Sequence, residues 1–373
     1  MRYSSQLTAA LAQVSPDRDL TFLVGVEGAD ASAAIPGVAI DRAIHVPHPL
    51  SQYRSRLLGI LDRFVRWGRA DRQIFAWLRG HPGIDLVHYQ DWHGLPTALG
   101  LAALRRFGIR SVLTVHNVRP HAFRWWQPVF IKNLIDRFVF PRFDALVVHS
   151  EGLKRLLSAF LGRTAPPIYV VPHGVGETLR PGPLEPLGER LSRQQLLFVG
   201  VPRPNKGLPL LLEALDFLPD FSLTIAGFAL DQSAEARRLE ALISAYQLKG
   251  HRITLRHGFV PDLELDKLLR THSVVMLPYR DDFRAQSGVL CQAISYRVPV
   301  VSTDVGAVGD TVRSFNIGCV AESKSARSLA EAVLQLYCMP PRQLEMNLNA
   351  AARTLDWDQV AYTLSEAYDN ICR

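Results

Sequence analysis

The run FVGVPRPNKGLPLLLEAL, Phe198–Leu215, sets Gly200 at the end of an apolar stretch, Arg203 and Lys206 in the loop beyond it, and Gly207 before a helical pattern. Glycine lets backbone approach a ligand closely, a helix start offers N–H groups and a positive dipole end, and two cations flank the position. That combination suits a diphosphate. The spacing is neither the GxxxxGK[ST] phosphate loop nor the GxGxxG dinucleotide fingerprint. A solvated loop with incidental charges stays open as the plainer reading. A second loop lies within LPYRDDFRAQSGVLCQAISYRVPVVSTDVGAVGDTV, Leu277–Val312. Ser287–Gly288 falls where a helix should begin, so backbone around Ser287, Gly288, Val289 and Leu290, with the Ser287 hydroxyl, could hold a second anionic group of the same ligand. Serine is also a favoured helix cap, which is the alternative. Asp304-Val305-Gly306 closes the next strand, with Gly306 at another helix entry.

In the first half, HYQDWHG (His88–Gly94) and TVHNVRPH (Thr114–His121) both follow expected strands. They bring His88, Asp91, His93, His116, Asn117 and His121 toward one sheet edge. The spacings contain no HExxH and no cysteine partner, so no metal site is expected. His116 beside Asn117 is the best candidate for touching a substrate hydroxyl, because imidazole donates or accepts near neutral pH. The stretch Arg54–Arg79 and the segment FRWWQPVFIKNLIDRFVF, Phe123–Phe140, interleave basic residues with Trp67, Trp77, Trp125, Trp126 and several Phe. Such segments suit an anionic membrane surface, where each basic contact contributes about 1 kcal/mol. The alternative, a core-facing aromatic side with solvated arginines, is preferred for Arg54–Arg79, and the membrane reading for Phe123–Phe140. Nothing here resembles a helix-turn-helix, zinc finger or RNA-recognition motif, so nucleic acid is not expected as a partner.

These loops need a scaffold, and the apolar periodicity supplies one. A helix over Ser4–Gln13 precedes a strand at Leu20–Val24, with short extended pieces at Val38–Ile40 and Ala43–Val46 and a helix over Tyr53–Arg79. Strands at Asp85–His88, Ser111–His116, Asp144–Ser150 and Ile168–Pro172 then alternate with helices at Leu95–Phe107, Val129–Phe140 and Glu151–Leu161. After a Gly-, Pro- and Glu-rich stretch the alternation restarts at Gln195–Val199 and continues to Leu336. Alternation of this kind implies parallel sheets covered on both faces, with ligands outside the carboxyl ends of the strands. The expected organisation is an N-terminal domain over residues 1–176, a linker over 177–193, a second domain over 194–355 and a final helix over 356–373.

Composition narrows the class. The 373 residues are 48% hydrophobic and 21% charged, with 25 Gly and 24 Pro in no repeating period, which excludes fibrous and disordered chains. The net charge of +7 is uneven: residues 1–180 hold 22 Lys and Arg against 13 Asp and Glu, and the remainder holds 20 against 22. A basic first half beside a near-neutral second half suggests an anionic surface or ligand meeting one domain. Cys291, Cys319, Cys338 and Cys372 lack metal-type spacing and read as reduced thiols. No apolar run approaches the ~20 residues that span a bilayer and no signal peptide is apparent, so the expected location is cytoplasmic or peripheral on the inner face of the membrane.

The motifs VRPHAF after TVHN, VVPHGV (Val170–Val175), FVGVPRPNKGLPLLLEAL, LPYRDDFRAQSGV and VPVVSTDVGAVGDTV resemble, in order and spacing, those of family 4 glycosyltransferases of the GT-B fold. The late WDQVAYTLSEAY (Trp357–Tyr368) resembles the helix by which that family's chain returns to its first domain. The resemblance covers nearly the whole chain. It implies an α/β protein of two Rossmann-like, doubly wound domains facing a cleft, and a retaining, metal-independent transferase using a nucleoside-diphosphate sugar and no cofactor. By position, His116, Arg203 and Lys206 become the catalytic candidates. Gly200, Phe259, Val260, Ser287, Gly288, Val289 and Leu290 join Arg203 and Lys206 around the donor. Asp91, His93, Asn117 and His121 fall on the side of a saccharide or lipid-linked acceptor. Family members often carry two glutamates at places that align here with Ala285 and Ala293, so a carboxylate role there is lost. They also begin with a strand and a Gly-rich loop before the first helix, so the expectation is a truncated start or a first domain lacking that strand. A non-catalytic nucleotide-sugar-binding or scaffolding protein, and a sugar-nucleotide epimerase of the same fold, stay open as alternatives.

Overall fold

Short, continuous apolar runs form the strands of the second half because parallel strands are buried on both faces. The computed structural model describes residues 2–25, 35–44, 56–92, 95–118, 129–176, 178, 182–228, 234–283 and 286–373. The chain divides into two units. One comprises Met1–His116, Ala122–Pro172 and Trp357–Arg373, and the other Asn117–His121 and His173–Asp356.

The first unit runs α1 (Arg2–Val14), β1 (Leu20–Gly25), β2 (Val38–Ile44), α2 (Arg56–Gly80), β3 (Leu86–Tyr89), α3 (Leu95–Arg106), β4 (Arg110–Thr114), α4 (Val129–Val139), β5 (Ala145–Val148), α5 (Glu151–Leu161) and β6 (Ile168–Val170). Strands β3-β4-β5-β6 form a parallel sheet in sequential order, and β1 pairs in parallel only with β2 among the described residues. The two extended pieces expected at Val38–Ile40 and Ala43–Val46 are a single strand over the described part. Ser150 caps α5 by accepting from the Leu153 N–H at 3.1 Å, and Leu153, Leu157 and Leu161 bury one helical stripe.

The second unit runs α6 (Leu187–Leu191), β7 (Gln195–Val199), α7 (Leu208–Leu215), β8 (Ser222–Phe228), α8 (Ala234–Leu248), β9 (Arg252–His257), α9 (Asp262–Thr271), β10 (Val274–Leu277), α10 (Gly288–Ser295), β11 (Val300–Thr303), α11 (Gly306–Phe315), β12 (Gly318–Ala321), α12 (Ala326–Tyr337) and α13 (Pro341–Thr354). Its six strands are all parallel, in the order β12-β11-β10-β7-β8-β9. The chain therefore winds outward from β7 in one direction and from β10 in the other. The β7–β10 seam is the switch point at which doubly wound sheets hold ligands.

The stretch expected to be a linker is structured where it is described. Leu187 and Leu191 of α6 lie in the second unit's core. Arg190, 1% exposed, donates to the carbonyls of Tyr296 and Arg297 at 3.2 and 2.6 Å. Burial pulls its guanidinium down to about 10. Pro and Gly around α6 hid a five-residue helix that tertiary packing holds.

The last helix, α14 (Trp357–Cys372), belongs to the first unit. Val360, Ala361 and Leu364 join Leu7, Ala10 and Leu11 of α1 against Val112 and Val147 of the sheet. Arg18 pairs with Asp369 at 2.5 Å, and the Ser15 and Ser365 hydroxyls meet at 2.8 Å. The pairing ties the two ends of the chain together through one small core.

Candidate functional site

At the end of β7 the chain turns at Gly200, with φ +104°, and its N–H donates to the Ala226 carbonyl at 2.8 Å. Gly227 follows Ala226 at φ +92°, and a Cβ placed on it would come within 3.1 Å of the Gly200 Cα. Two glycines thus let neighbouring strand ends touch backbone to backbone. Beyond Gly200 a single 3-10 turn, Pro204–Lys206, swings Lys206 back so that its Nζ would lie 2.6 Å from a Cβ at Gly200. The ammonium also sits 5.9 Å from the ring centroid of Tyr279, just past β10. Lys206 therefore spans the switch point.

Two features fix that turn. Gly207 has φ +67°, and a Cβ on it would lie 1.8 Å from the Pro278 carbonyl oxygen, so only glycine fits. The Arg280 N–H donates to the Asn205 carbonyl at 2.9 Å, joining the loop after β7 to the loop after β10. Burial, with the Arg203 guanidinium as second cause, pulls the Lys206 ammonium down to about 8. A cation held this way gains from an approaching anion, which offsets both causes at once.

The helix start expected to contribute amides here contributes few. The Lys206 and Gly207 N–H groups donate to the Arg203 and Pro204 carbonyls, and Pro209 has none. The first loop can meet an anion through the Arg203 and Lys206 side chains.

The second loop divides the work the other way. Ser287, 3% exposed, caps α10 by accepting from the Leu290 N–H at 3.3 Å, and its hydroxyl shares a 3.0 Å hydrogen bond with the Tyr279 hydroxyl. The Leu290 amide and one acceptor site of the Ser287 hydroxyl are thus engaged within the protein. The Gly288 and Val289 amides have no hydrogen bond among the described residues, and the position a Cβ of Gly288 would take faces open space. No acidic residue occupies the first turn of α10, so its positive end is uncompensated there.

Tyr279 was missed by the sequence reasoning, although it stands in the quoted run LPYRDD. It is 2% exposed, its hydroxyl is pushed up to about 12 by burial, and Thr303 donates to its carbonyl. Its ring faces Lys206 and its hydroxyl reaches Ser287. One buried side chain therefore sets the loop after β7 and the loop before α10 relative to each other.

Other donor-side candidates are placed less centrally. Phe259, 87% exposed, and half-buried Val260 follow β9, two strands from β7. Ala293 is fully buried in α10, where a glutamate would put an unpartnered carboxylate in the core. Ala285 and Arg284 lie outside the described residues.

In the first unit, β3 and β4 pair side by side, which places Asp91 and His116 just beyond neighbouring strand ends. His116, just beyond β4, has its Nδ1 2.9 Å from His149 Nε2, and His149 Nδ1 is 3.0 Å from the Val171 carbonyl. Asp91 is exposed and accepts from the Trp92 N–H at 2.8 Å, and Asn117 is exposed. His93 and His121 lie outside the described residues, as do Trp125 and Trp126. His88, grouped with these by sequence, is structural. It bridges the Tyr368 hydroxyl at 2.5 Å and the Thr114 hydroxyl at 2.7 Å, and burial, aided by His116, pulls it down to about 3. A neutral imidazole there pins α14 to the sheet. Among the described residues no group of three His, Cys, Asp or Glu is placed to hold a metal ion, and no helix is long and apolar enough to cross a membrane.

The comparisons agree with this geometry. Residues 22–178 match the family described as Glycosyltransferase Family 4, and residues 184–354 match Glycosyl transferases group 1. A glycogen synthase of Mycobacterium tuberculosis is 23% identical over 76% of this chain and 68% of its own. A D-inositol 3-phosphate glycosyltransferase of Xylanimonas cellulosilytica is 27% identical over 76% of this chain and 71% of its own. Among solved structures, sucrose-phosphate synthase from Thermosynechococcus elongatus superposes with a TM-score of 0.76 at 20% identity, covering 99% of this chain and 92% of that one. HepE of Anabaena in complex with UDP gives 0.69 at 14% identity, covering 98% and 96%. Two matching families, a six-stranded doubly wound sheet and a cation at its switch point converge on one assignment: the chain belongs to the family 4 glycosyltransferases of GT-B fold.

Proposed function

We propose that this glycosyltransferase is a retaining enzyme that moves a sugar from a nucleoside-diphosphate donor to a saccharide or lipid-linked saccharide in glycan biosynthesis. The observation that carries the reading is Lys206, held between Gly200 and Tyr279 at the switch point with its ammonium pulled down to about 8. Arg203 and Lys206 grip the diphosphate, and the Gly288 and Val289 amides take its other end or the sugar. The bond from the anomeric carbon to the diphosphate oxygen breaks, and the electron pair leaves with the diphosphate. The oxygen of an acceptor hydroxyl forms the new bond to the anomeric carbon, and its proton passes to the departing diphosphate oxygen. Fixed cations aimed at the charge that develops on the leaving group lower the barrier without a metal. Gly200, Phe259 and Val260 line the nucleotide side, and His116 contacts the donor sugar. Asp91, His93, Asn117 and His121 serve the acceptor. HepE of Anabaena holds UDP, which makes uridine the first base to try. Incubating the protein with UDP-sugars and a lipid-containing extract, and following sugar into product, tests the reading. A protein that binds UDP without transfer would be the scaffold, and release of an isomerised donor would be the epimerase.

An anionic membrane surface is the proposed partner of the first unit. Leu99 is 76% exposed on α3, and Leu134 and Phe138 are 54% and 46% exposed on α4, with Arg105, Arg106, Arg137 and Arg142 on the same elements or next to them. Exposed apolar side chains among arginines suit the interface of anionic lipids. Sedimentation with vesicles containing an anionic lipid checks it against zwitterionic vesicles.

A further inference from the structure

Arg190 lies in the stretch whose composition suggests a linker, yet its side chain is buried and its backbone is fastened at the amino ends of β7 and β10. The Ser273 hydroxyl donates to the Arg190 carbonyl at 2.5 Å and accepts from the Gln195 N–H at 3.0 Å. The guanidinium turns to the C-terminal end of α10, where it donates to the Tyr296 and Arg297 carbonyls. Arg297, in left-handed backbone at φ +52°, closes the same end by donating to the Ser295 carbonyl at 2.5 Å, while its Nε donates to Asn349 Oδ1 at 3.0 Å. Two guanidinium groups thus meet the last carbonyls of α10 and neutralise the negative end of its dipole. Among the described residues no carboxylate pairs with Arg190: Glu345 and Glu185 act on it through space, and Glu185 is paired with Arg193. Its Nε has no hydrogen-bond partner there either. Burying a cation without a paired anion costs stability, and the hydrogen bonds this guanidinium makes in return all lie at one end of one helix.

We infer that Arg190 is a positioning residue for the donor: it anchors the C-terminal end of α10 and completes the helix dipole, so that the Gly288 and Val289 amides at the other end meet the diphosphate. The diphosphate contact rests on the reading given under Proposed function; the anchoring of α10 does not. With eight residues, α10 is about 12 Å long. A unit charge acting over that distance in partly buried surroundings changes the affinity of an anion by about tenfold. The effect follows the charge of the ligand, so a diphosphate gains from it and an uncharged nucleoside does not.

The experiment titrates UDP by calorimetry and uridine by NMR into the full chain, wild type and with Arg190→Lys or Arg190→Met. Lysine keeps the cation, and methionine keeps only the bulk. Arg190→Met should bind UDP about tenfold more weakly and uridine unchanged, whereas Arg190→Lys should stay within about threefold of the wild type for both. Hydrogen exchange of the unliganded proteins reads the anchor itself: α10 amides from Cys291 onward should exchange about tenfold faster in Arg190→Met, with those of α7 unchanged. If Arg190→Met does not fold, Arg297→Met makes the same removal at the Ser295 carbonyl, with an expected loss of about threefold for UDP. An equal fall for UDP and uridine would overturn the inference. So would undiminished UDP affinity in folded Arg190→Met, a loss as large in Arg190→Lys, or unchanged exchange in α10. A wild type that binds no nucleoside diphosphate would overturn the diphosphate contact, and faster α10 exchange in Arg190→Met would then leave the anchor standing.

Discussion

The Lys206 ammonium occupies the space that a side chain on Gly200 would need: a Cβ there would lie 2.6 Å from Nζ. The strand-end glycine and the lysine six residues later are two halves of one device. The glycine clears the place and the 3-10 turn fills it with charge.

Gly200→Ala is therefore expected to damage binding more than folding. The residue sits at φ +104°, so alanine strains the turn by about 1 kcal/mol or more and pushes the ammonium off its position. Affinity for a nucleoside diphosphate, measured by calorimetry, should drop at least about tenfold, while the melting temperature falls by only a few degrees.

Lys206 gives a pH dependence with a definite sign. Folded, its ammonium is pulled down to about 8 from an ordinary 10.5, so between these values the unfolded chain holds more protons. Stability from this group rises with pH across that window, and the cost of burying the charge is fully present below about 8. Lys206→Met should stabilise the protein at pH 7 by on the order of 1–3 kcal/mol, a gain that disappears above pH 10.5. The same variant should lose transfer by about a hundredfold or more, because the leaving diphosphate no longer meets the cation. In the free wild-type protein, diphosphate affinity should weaken as pH rises through about 8, and denaturation and titration curves spanning the window from below 8 to above 10.5 check both signs.

How far the residues alone led is clearest at this loop. Gly200, Arg203, Lys206 and Gly207 are local in sequence, and their strand–turn–helix setting follows from LLFVG and the apolar pattern of LPLLLEAL. Tyr279 and Gly227 belong to other strands, and only the strand order brings them to β7. Ser287 was legible as a cap, but not the commitment of its hydroxyl to Tyr279, because that partner is fixed by burial rather than spacing. His149 looked like one more strand-end residue until Val171 and His116 were seen on either side of it. The alternation of strands and helices was readable for the same reason that the sheets are parallel: continuous apolar runs are what two covered faces require.

Tyr279→Phe tests the coupling between the two loops. It leaves Ser287 as a cap but removes the bond that seats it, and the expected cost is about 1 kcal/mol of stability. Ser287→Ala should cost more, about 1–2 kcal/mol, since it removes the cap and leaves the buried Tyr279 hydroxyl without this partner. Chemical denaturation of both variants should rank them in that order. Diphosphate affinity should fall in each by a few fold to about tenfold, since Gly288 and Val289 lose their fixed placement.

The proposed mechanism has the cations of the protein do what a divalent ion does elsewhere. Initial rates of sugar transfer should be unchanged when a strong divalent chelator is added and unchanged when magnesium or manganese is restored. A chelator-sensitive rate would move the burden of leaving-group stabilisation from Arg203 and Lys206 to a metal.

The diphosphate grip underlies all of these expectations. It can be measured by calorimetric titration of UDP, GDP and ADP into the wild-type protein and into the Arg203→Ala/Lys206→Ala double variant, all in chelator. At least one diphosphate should bind the wild type, and the double variant, still folded by circular dichroism, should lose about a hundredfold in affinity or more. Equal affinity in both proteins would refute the grip, and so would the failure of every diphosphate to bind the wild type.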